Sequence, residues 1–322
     1  MAHPRLSTFF ALLFVVLLVA CNGAQPTPRA ATPNAPATVT TTATVAPPAA
    51  SPTPEAVRFN GEAALALANE QCEIGPRPTG SDALLLTRDW IGRRLEGLGW
   101  RIIHHDSEYE GVPIHNIIGV KGDGPARMVG AHFDTRPVAD MDPNQPDQPI
   151  IGANDGASGV AVLLELARTL DVPEGQQVQL AFFDAEDRGR LDGWPFSVGS
   201  AHLVRDLDQL DMARPDAMVL LDMIGDADLQ IYRERNSAPE LNDVIFGIAN
   251  ELGYVGDGFY DEPKWTIIDD HLPFLEAGIP AVDLIDFDYP YWHTVDDTCD
   301  KLSADSLQKV GDVVELWIEE WR

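Results

Sequence analysis

An α/β fold is the class this sequence predicts, and three observations predict it. Helical and strand periodicities alternate through residues 57–322. The strand segments are short, continuous apolar runs, as expected of strands covered on both faces. Acidic and histidine residues recur just beyond the ends of those runs, where open α/β sheets place their ligand crevice. A length of 322 residues with 45% hydrophobic content suffices for one large domain with appendages and excludes a disordered chain.

The first element is a leader. His3 and Arg5 precede an apolar run from Phe9 to Ala20, followed by Cys21. This resembles a bacterial lipoprotein signal, in which the apolar segment engages the export machinery, small Ala20 fits a protease subsite and the Cys21 thiol accepts a diacylglycerol group. The competing reading is a permanent membrane helix, and the run falls short of the about 20 apolar residues that a span needs. Residues 1–21 are therefore expected to be a lipoprotein signal peptide with its lipidated cysteine. The protein would be exported to the cell envelope and held by lipid alone on the outer face of a bacterial membrane. Residues 22–56 are almost entirely Pro, Ala, Thr and Ser, too poor in apolar surface to offset the entropy of ordering. They read as a disordered tether, extended by its prolines.

The formal net charge is -29, and the first 54 residues hold no Asp or Glu, so the acidic load falls on the segment that folds. Nucleic acid is excluded as a natural partner on this balance. A solvated, self-repelling surface explains the charge better than attraction of cationic peptide ends.

Within 57–322, Ala64 to Cys72 and Leu84 to Leu98 carry apolar residues at helical spacing, while Trp100 to His104 and His115 to Val120 read as strands. Arg127 to Ala131 is a short strand ahead of His132. A helix follows from Ala157 to Leu170, then strands at Val178 to Phe183, Ala217 to Leu221 and Ala281 to Ile285, and a last helix from about Ala304 to Trp321. Cys72 and Cys299 either pair in an oxidising compartment or stay as two buried thiols, and spacing does not choose between these.

The chemistry lies at the strand ends. His132 and Asp134 follow one strand, Glu186 and Asp187 follow the strand ending at Phe183, and Asp222 follows Leu221. His293 lies in the loop after Ile285, and Asp155 opens a helix in the segment GANDGASGV. Brought together, these form a site of imidazole and carboxylate ligands without thiolate, a set that suits zinc with an open position. A lone histidine is more often an ordinary polar residue, and His104, His105 and His202 read so; the joint pattern lifts His132 and His293 above that reading.

Taken in order, GPRPTGS from Gly75, AHFDT, GANDGASGV, FFDAED, VGSAHLV, LLDMIG, DDHLPFLEAGIPAV and YWHTVDDT from Tyr291 resemble the zinc aminopeptidase and glutaminyl cyclase superfamily, metallopeptidase family 28. The resemblance covers nearly all of the folded segment. It implies a single three-layer α/β/α domain with a mixed, mainly parallel central sheet. By the same match Asp155, Asp187 and His293 would hold one zinc. His132 and Asp222 would complete a second site bridged by Asp155, with Asp134 orienting His132. Glu186 falls on the family's general base, beside a ligand position where Asp187 replaces the commoner Glu.

Two reactions on the free N-terminus of peptides or proteins then compete. In the cyclase reading Glu186 moves a proton from the α-amine to departing ammonia, Asp269 and Asp222 form an acidic pair near the leaving group, and Trp292 and Trp194 wall the pocket. In the aminopeptidase reading Glu186 deprotonates the attacking water. Trp292 before His293, the pair Asp269 and Asp270, and LLDMIG resemble the cyclase branch; Ile268, where that branch carries Gln, departs from it. A catalytically silent surface lipoprotein would have lost its base or a ligand, and here all are present.

Overall fold

The computed structural model describes residues 57–320. The expected signal peptide with Cys21 and the expected tether lie outside the described residues, as do residues 321 and 322.

Two helices open the domain, α1 (Gly61–Ile74) and α2 (Asp82–Gly97). Each starts on a side-chain cap: Asn60 accepts from the Ala63 amide and Ser81 from the Leu84 amide, both at 3.1 Å. A hairpin follows, β1 (Arg101–Tyr109) and β2 (Val112–Gly122), longer than the apolar runs suggest. Its turn residues Glu110 and Gly111 both take positive φ, 50° and 81°, which matches the right-handed strand twist and lets pairing run to the tip.

The parallel part of the sheet comprises β3 (Ala126–His132), β4 (Gln177–Phe183), β5 (Pro215–Asp222) and β8 (Ala281–Ile285). The spatial order is β1-β2-β4-β3-β5-β8. The first two junctions are antiparallel and the last three parallel, which makes the sheet mixed and mainly parallel. A separate pair joins β6 (Ile231–Arg233) and β7 (Phe259–Pro263).

Helices cover both faces. On one side α1, α2, α3 (Gly159–Thr169), α5 (Pro239–Glu251) and α7 (Ala304–Glu319) pack on Val129, Leu180, Phe182, Val219 and Leu284. On the other, α4 (Val198–Asp206) and α6 (His271–Glu276) pack through Leu203 and Phe274 on Met128, Phe183 and Leu220. Because adjacent strand residues feed opposite cores, the strands read as unbroken apolar runs. The helices α4, α5 and α6 and the pair β6 and β7 were not among the sequence expectations. The helix α6 spans only six residues and β6 three, too few to show a period. Cys72 of α1 and Cys299 form a disulfide with Cα atoms 6.5 Å apart, settling the alternative that spacing left open. No helix among the described residues is long and apolar enough to cross a membrane.

Candidate metal centre and cavity

Because β3, β4, β5 and β8 are parallel, their carboxyl ends share one edge of the sheet, and the predicted residues meet there. His132 ends β3, Asp222 ends β5, Glu186 and Asp187 follow β4, and His293 sits in the loop after β8. Asp155 enters from a kinked turn ahead of α3, where its backbone is non-helical (φ -91°, ψ 85°). The adjacent Gly156 has φ 151°, and a Cβ there would lie 2.7 Å from the His132 carbonyl and 2.8 Å from its ring. Only glycine lets the turn come so close to His132.

Two groups of ligand atoms result, joined by Asp155. The Nε2 atom of His132 lies 3.1 Å from Oδ1 of Asp155 and 3.3 Å from Oδ1 of Asp222. The Nε2 atom of His293 lies 3.0 Å from Oδ1 of Asp187 and 3.6 Å from Oδ2 of Asp155. All five side chains are buried, and Oδ2 of both Asp155 and Asp187 has no hydrogen-bond partner. Buried carboxylate oxygens left unpaired beside imidazole nitrogens fit a divalent cation such as zinc.

Each imidazole is backed by a carboxylate on its other nitrogen. Oδ1 of Asp134 faces Nδ1 of His132 at 3.6 Å, and Oδ1 of Asp140 faces Nδ1 of His293 at 3.3 Å. Asp134 also accepts the backbone N–H groups of Glu186 and Asp187 at 3.2 and 3.1 Å, holding the turn that carries both. Asp140 is itself gripped by Arg136 through two bonds of 2.8 and 2.7 Å. Asp297 accepts the amides of Asn154 and Asp155 and the Tyr289 hydroxyl. Sequence reasoning missed Asp140 and Asp297. Asp297 lies within YWHTVDDT, which marked its neighbourhood but not its role, while Asp140 has no motif around it.

The site is electrostatically loaded. Burial disfavours a charged ring at His132, but Asp134, Asp155 and Asp222 outweigh it and raise its pKa well above the usual value. His293 is likewise raised to about 9, burial again opposing and Asp187 and Asp140 prevailing. Burial, with Asp155 adding to it, pushes Asp187 up to about 7. Glu186 and Asp269 are pushed well above the carboxylate range, first by burial and then by neighbouring acids. Such a concentration of like charge is what a bound cation relieves. Non-glycine residues at the site take left-handed backbone, among them Ala185 (φ 58°), Met223 (φ 48°) and His293 (φ 56°), conformations tolerated where a site dictates them.

A cavity of about 370 Å³ opens over these groups. Asp155, Glu186, Asp187, Asp222, Asp269 and His293 line it, with an apolar wall that includes Trp292, Phe287, Ile285 and Ile268. The ring of Trp292 stacks on His293, centroids 3.9 Å apart, and leans on Phe287 at 5.0 Å. Trp194 is placed elsewhere: it packs with Ile114, Ala185 and Val198 and meets Tyr109 edge-on. The cavity wall expected of it is supplied on that side by Phe196, because the turn after Asp187 directs Trp194 into the domain.

The description Peptidase family M28 matches residues 116–318. Aminopeptidase YwaD of Bacillus subtilis (strain 168) is 29% identical over an alignment of 227 residues that covers 64% of this chain and 44% of that protein. Glutaminyl-peptide cyclotransferase of Bos taurus is 29% identical over an alignment of 233 residues that covers 60% of this chain and 62% of that one. The chain thus spans less than two thirds of these two relatives. Among solved structures, Porphyromonas gingivalis glutaminyl cyclase superposes with a TM-score of 0.77 at 30% identity, covering 82% of this chain and 99% of that one. A leucine aminopeptidase precursor from Bacteroides thetaiotaomicron gives 0.77 and 30%, with 83% and 99% covered. The matched span runs from Asn116 to Ile318 and includes every ligand candidate, the shared Asp155 and the turn that presents Glu186, so this chain belongs to peptidase family M28.

Proposed function

We propose that this protein is a zinc-dependent glutaminyl-peptide cyclotransferase that converts an N-terminal glutamine of peptides to pyroglutamate with release of ammonia. The observation that carries the reading is the grouping of Asp269, Asp222 and Glu186 around one cavity beside Trp292 and His293. Asp155, Asp187 and His293 would hold the zinc, which when bound supplies a Lewis acid for the reacting carbonyl.

The remaining work falls to side chains. The cavity receives the glutamine side chain against Trp292 and Phe287, which exclude water. The α-amine nitrogen forms a bond to the side-chain carbonyl carbon as the bond to the amide nitrogen breaks. Glu186 takes a proton from the attacking amine and gives it to the departing nitrogen, so ammonia leaves neutral. Asp269 and Asp222 bind that nitrogen as it departs, and Asp134 keeps Glu186 aligned through its backbone amide.

One observation favours a second reading. Asp155 turns Oδ1 toward His132 and Oδ2 toward His293, an arrangement able to bridge two ions. Were the two groups to hold two zinc ions, these would supply Lewis-acid chemistry at the first peptide bond, and Glu186 would take the proton of the attacking water in aminopeptidase hydrolysis. Mass spectrometry of Gln-Ala-Phe and Leu-Ala-Phe peptides incubated with the zinc-loaded domain separates the two. Loss of ammonia from the glutamine peptide alone supports the cyclase; release of free leucine overturns it in favour of the peptidase.

The proposal extends to location: export, lipidation at Cys21 and attachment to the outer membrane face through the tether, supported by the signal-like segment alone. Cys21→Ser is expected to move the protein from the membrane fraction to the soluble one, and a variant still sedimenting with membranes would refute the anchor.

A further inference from the structure

We infer that Arg190 forms an anion subsite in the cavity that takes a carboxylate of the peptide substrate, an inference that rests on the N-terminal chemistry just proposed. The chain holds 51 acidic and 22 basic residues, so most of its arginines find an acid, while Arg77 and Arg235 bond backbone carbonyls instead. Arg58, Arg88, Arg94, Arg136 and Arg233 are all ion-paired, and Arg188, two residues away, pairs with Asp192. Arg190 lines the cavity, is exposed, and its side chain has no ion pair among the described residues. Its guanidinium instead lies over the ring of Phe196, 5.6 Å from the centroid, a cation–π contact that leaves its N–H donors open.

The backbone beneath it is built to hold this position. Arg190 has φ 66°, and its N–H donates to the Trp194 carbonyl at 2.7 Å. The preceding Gly189 carbonyl accepts from Arg136 at 2.8 Å, and the same Arg136 nitrogen bonds the Asp187 carbonyl at 3.1 Å. A Cβ on Gly189 would fall 2.2 Å from the Phe196 ring, so glycine there is what lets Phe196 pack under the arginine. Arg190 is thereby tied to Asp187 of the metal group through one short, bonded turn.

The lining also sorts a peptide by charge. Asp155, Glu186, Asp187, Asp222 and Asp269 repel a carboxylate, and among the described residues Arg190 is the one arginine or lysine on the wall. An ammonium goes to the acids and a carboxylate to Arg190. The carboxylate comes from one of two sources: the free C-terminus of a very short peptide, or an acidic side chain just after the first residue.

Two substrate pairs distinguish the sources, Gln-Ala against its amide, and Gln-Asp-Ala amide against Gln-Asn-Ala amide, each run also with leucine first. The readout is the ratio of kcat/KM between the members of a pair, measured on one enzyme sample. Wild type is expected to favour the carboxylate by about fivefold or more, through KM, in at least one pair. Arg190→Ala should bring that ratio to about one, and Arg190→Lys should restore part of it. A preference in the first pair alone identifies the C-terminus; in the second alone, the side chain. A wild-type ratio near one in both pairs, or a ratio unchanged in Arg190→Ala, overturns the inference. Turnover of the leucine series alone would refute the cyclase reading while leaving the ratio to judge Arg190. If neither series reacts, the proposed function fails, and calorimetric affinities of the same pairs decide on Arg190 by the same criterion.

Discussion

At the residue scale the proposed chemistry divides between groups that would hold a cation and one that would stay free to move a proton. Asp187 and Glu186 are adjacent in sequence, yet Asp187 turns to His293 and Glu186 faces the cavity. Asp134 makes that divergence reproducible by accepting both backbone amides. Glu186→Gln keeps the shape and removes the basicity. It is expected to bind zinc about as wild type does while turnover falls by about a hundredfold or more, the scale of general acid–base catalysis. Metal analysis and steady-state rates on one preparation check this; near-normal turnover in the metal-loaded variant would remove Glu186 from the mechanism.

At the scale of elements, the site depends on close approaches between a helix or turn and a strand end. The helix α4 enters directly over the end of β4: a Cβ on Gly199 would lie 1.9 Å from the Asp184 carbonyl, two residues before Glu186. The same contact is clamped by Asn116, whose amide donates to the Gly199 carbonyl at 2.8 Å and whose Oδ1 accepts the Asp184 amide at 2.9 Å. Gly199→Ala must push α4 off the sheet. A loss of about 2 kcal/mol or more is expected in urea unfolding, with activity falling further than stability because the Glu186 turn shifts too. Unchanged stability would show that α4 has slack that the packing does not suggest.

At the scale of the whole molecule, the domain stores acidic groups that resist ionising. Burial, foremost among their causes, pushes Asp184, Asp286 and Asp297 up to about 7 from the ordinary 3.8. A folded-state pKa above the unfolded one means that the native form holds more protons across that window, so stability falls as pH rises from about 4 to 7. His293, raised to about 9, adds stability below its unfolded value that is lost as pH rises through 9. In chelator, urea unfolding should therefore give a lower stability at pH 9 than at pH 5, by roughly 2 kcal/mol or more. Zinc requires deprotonated ligands, so the stabilisation it confers should grow over the same range. A metal-free stability rising from pH 5 to 9 would contradict the burial of these acids without a cationic partner.

What the sequence by itself determined is the set of strand ends and the residue types placed on them. Continuous apolar runs marked β3, β4, β5 and β8 because both faces are covered, and His132, Glu186, Asp187 and Asp222 follow those runs directly. The tertiary structure alone decided which of the remaining polar residues reach the site. Asp140 backs His293 across the chain, Asp297 holds the amides of Asn154 and Asp155 from 143 and 142 residues away, and Phe196 rather than Trp194 reaches the cavity. Each of these depends on a loop path set by backbone hydrogen bonds and left-handed residues, such as Arg190 and His293. A side chain's identity states which bonds it can make, whereas the path of the loop determines where it makes them.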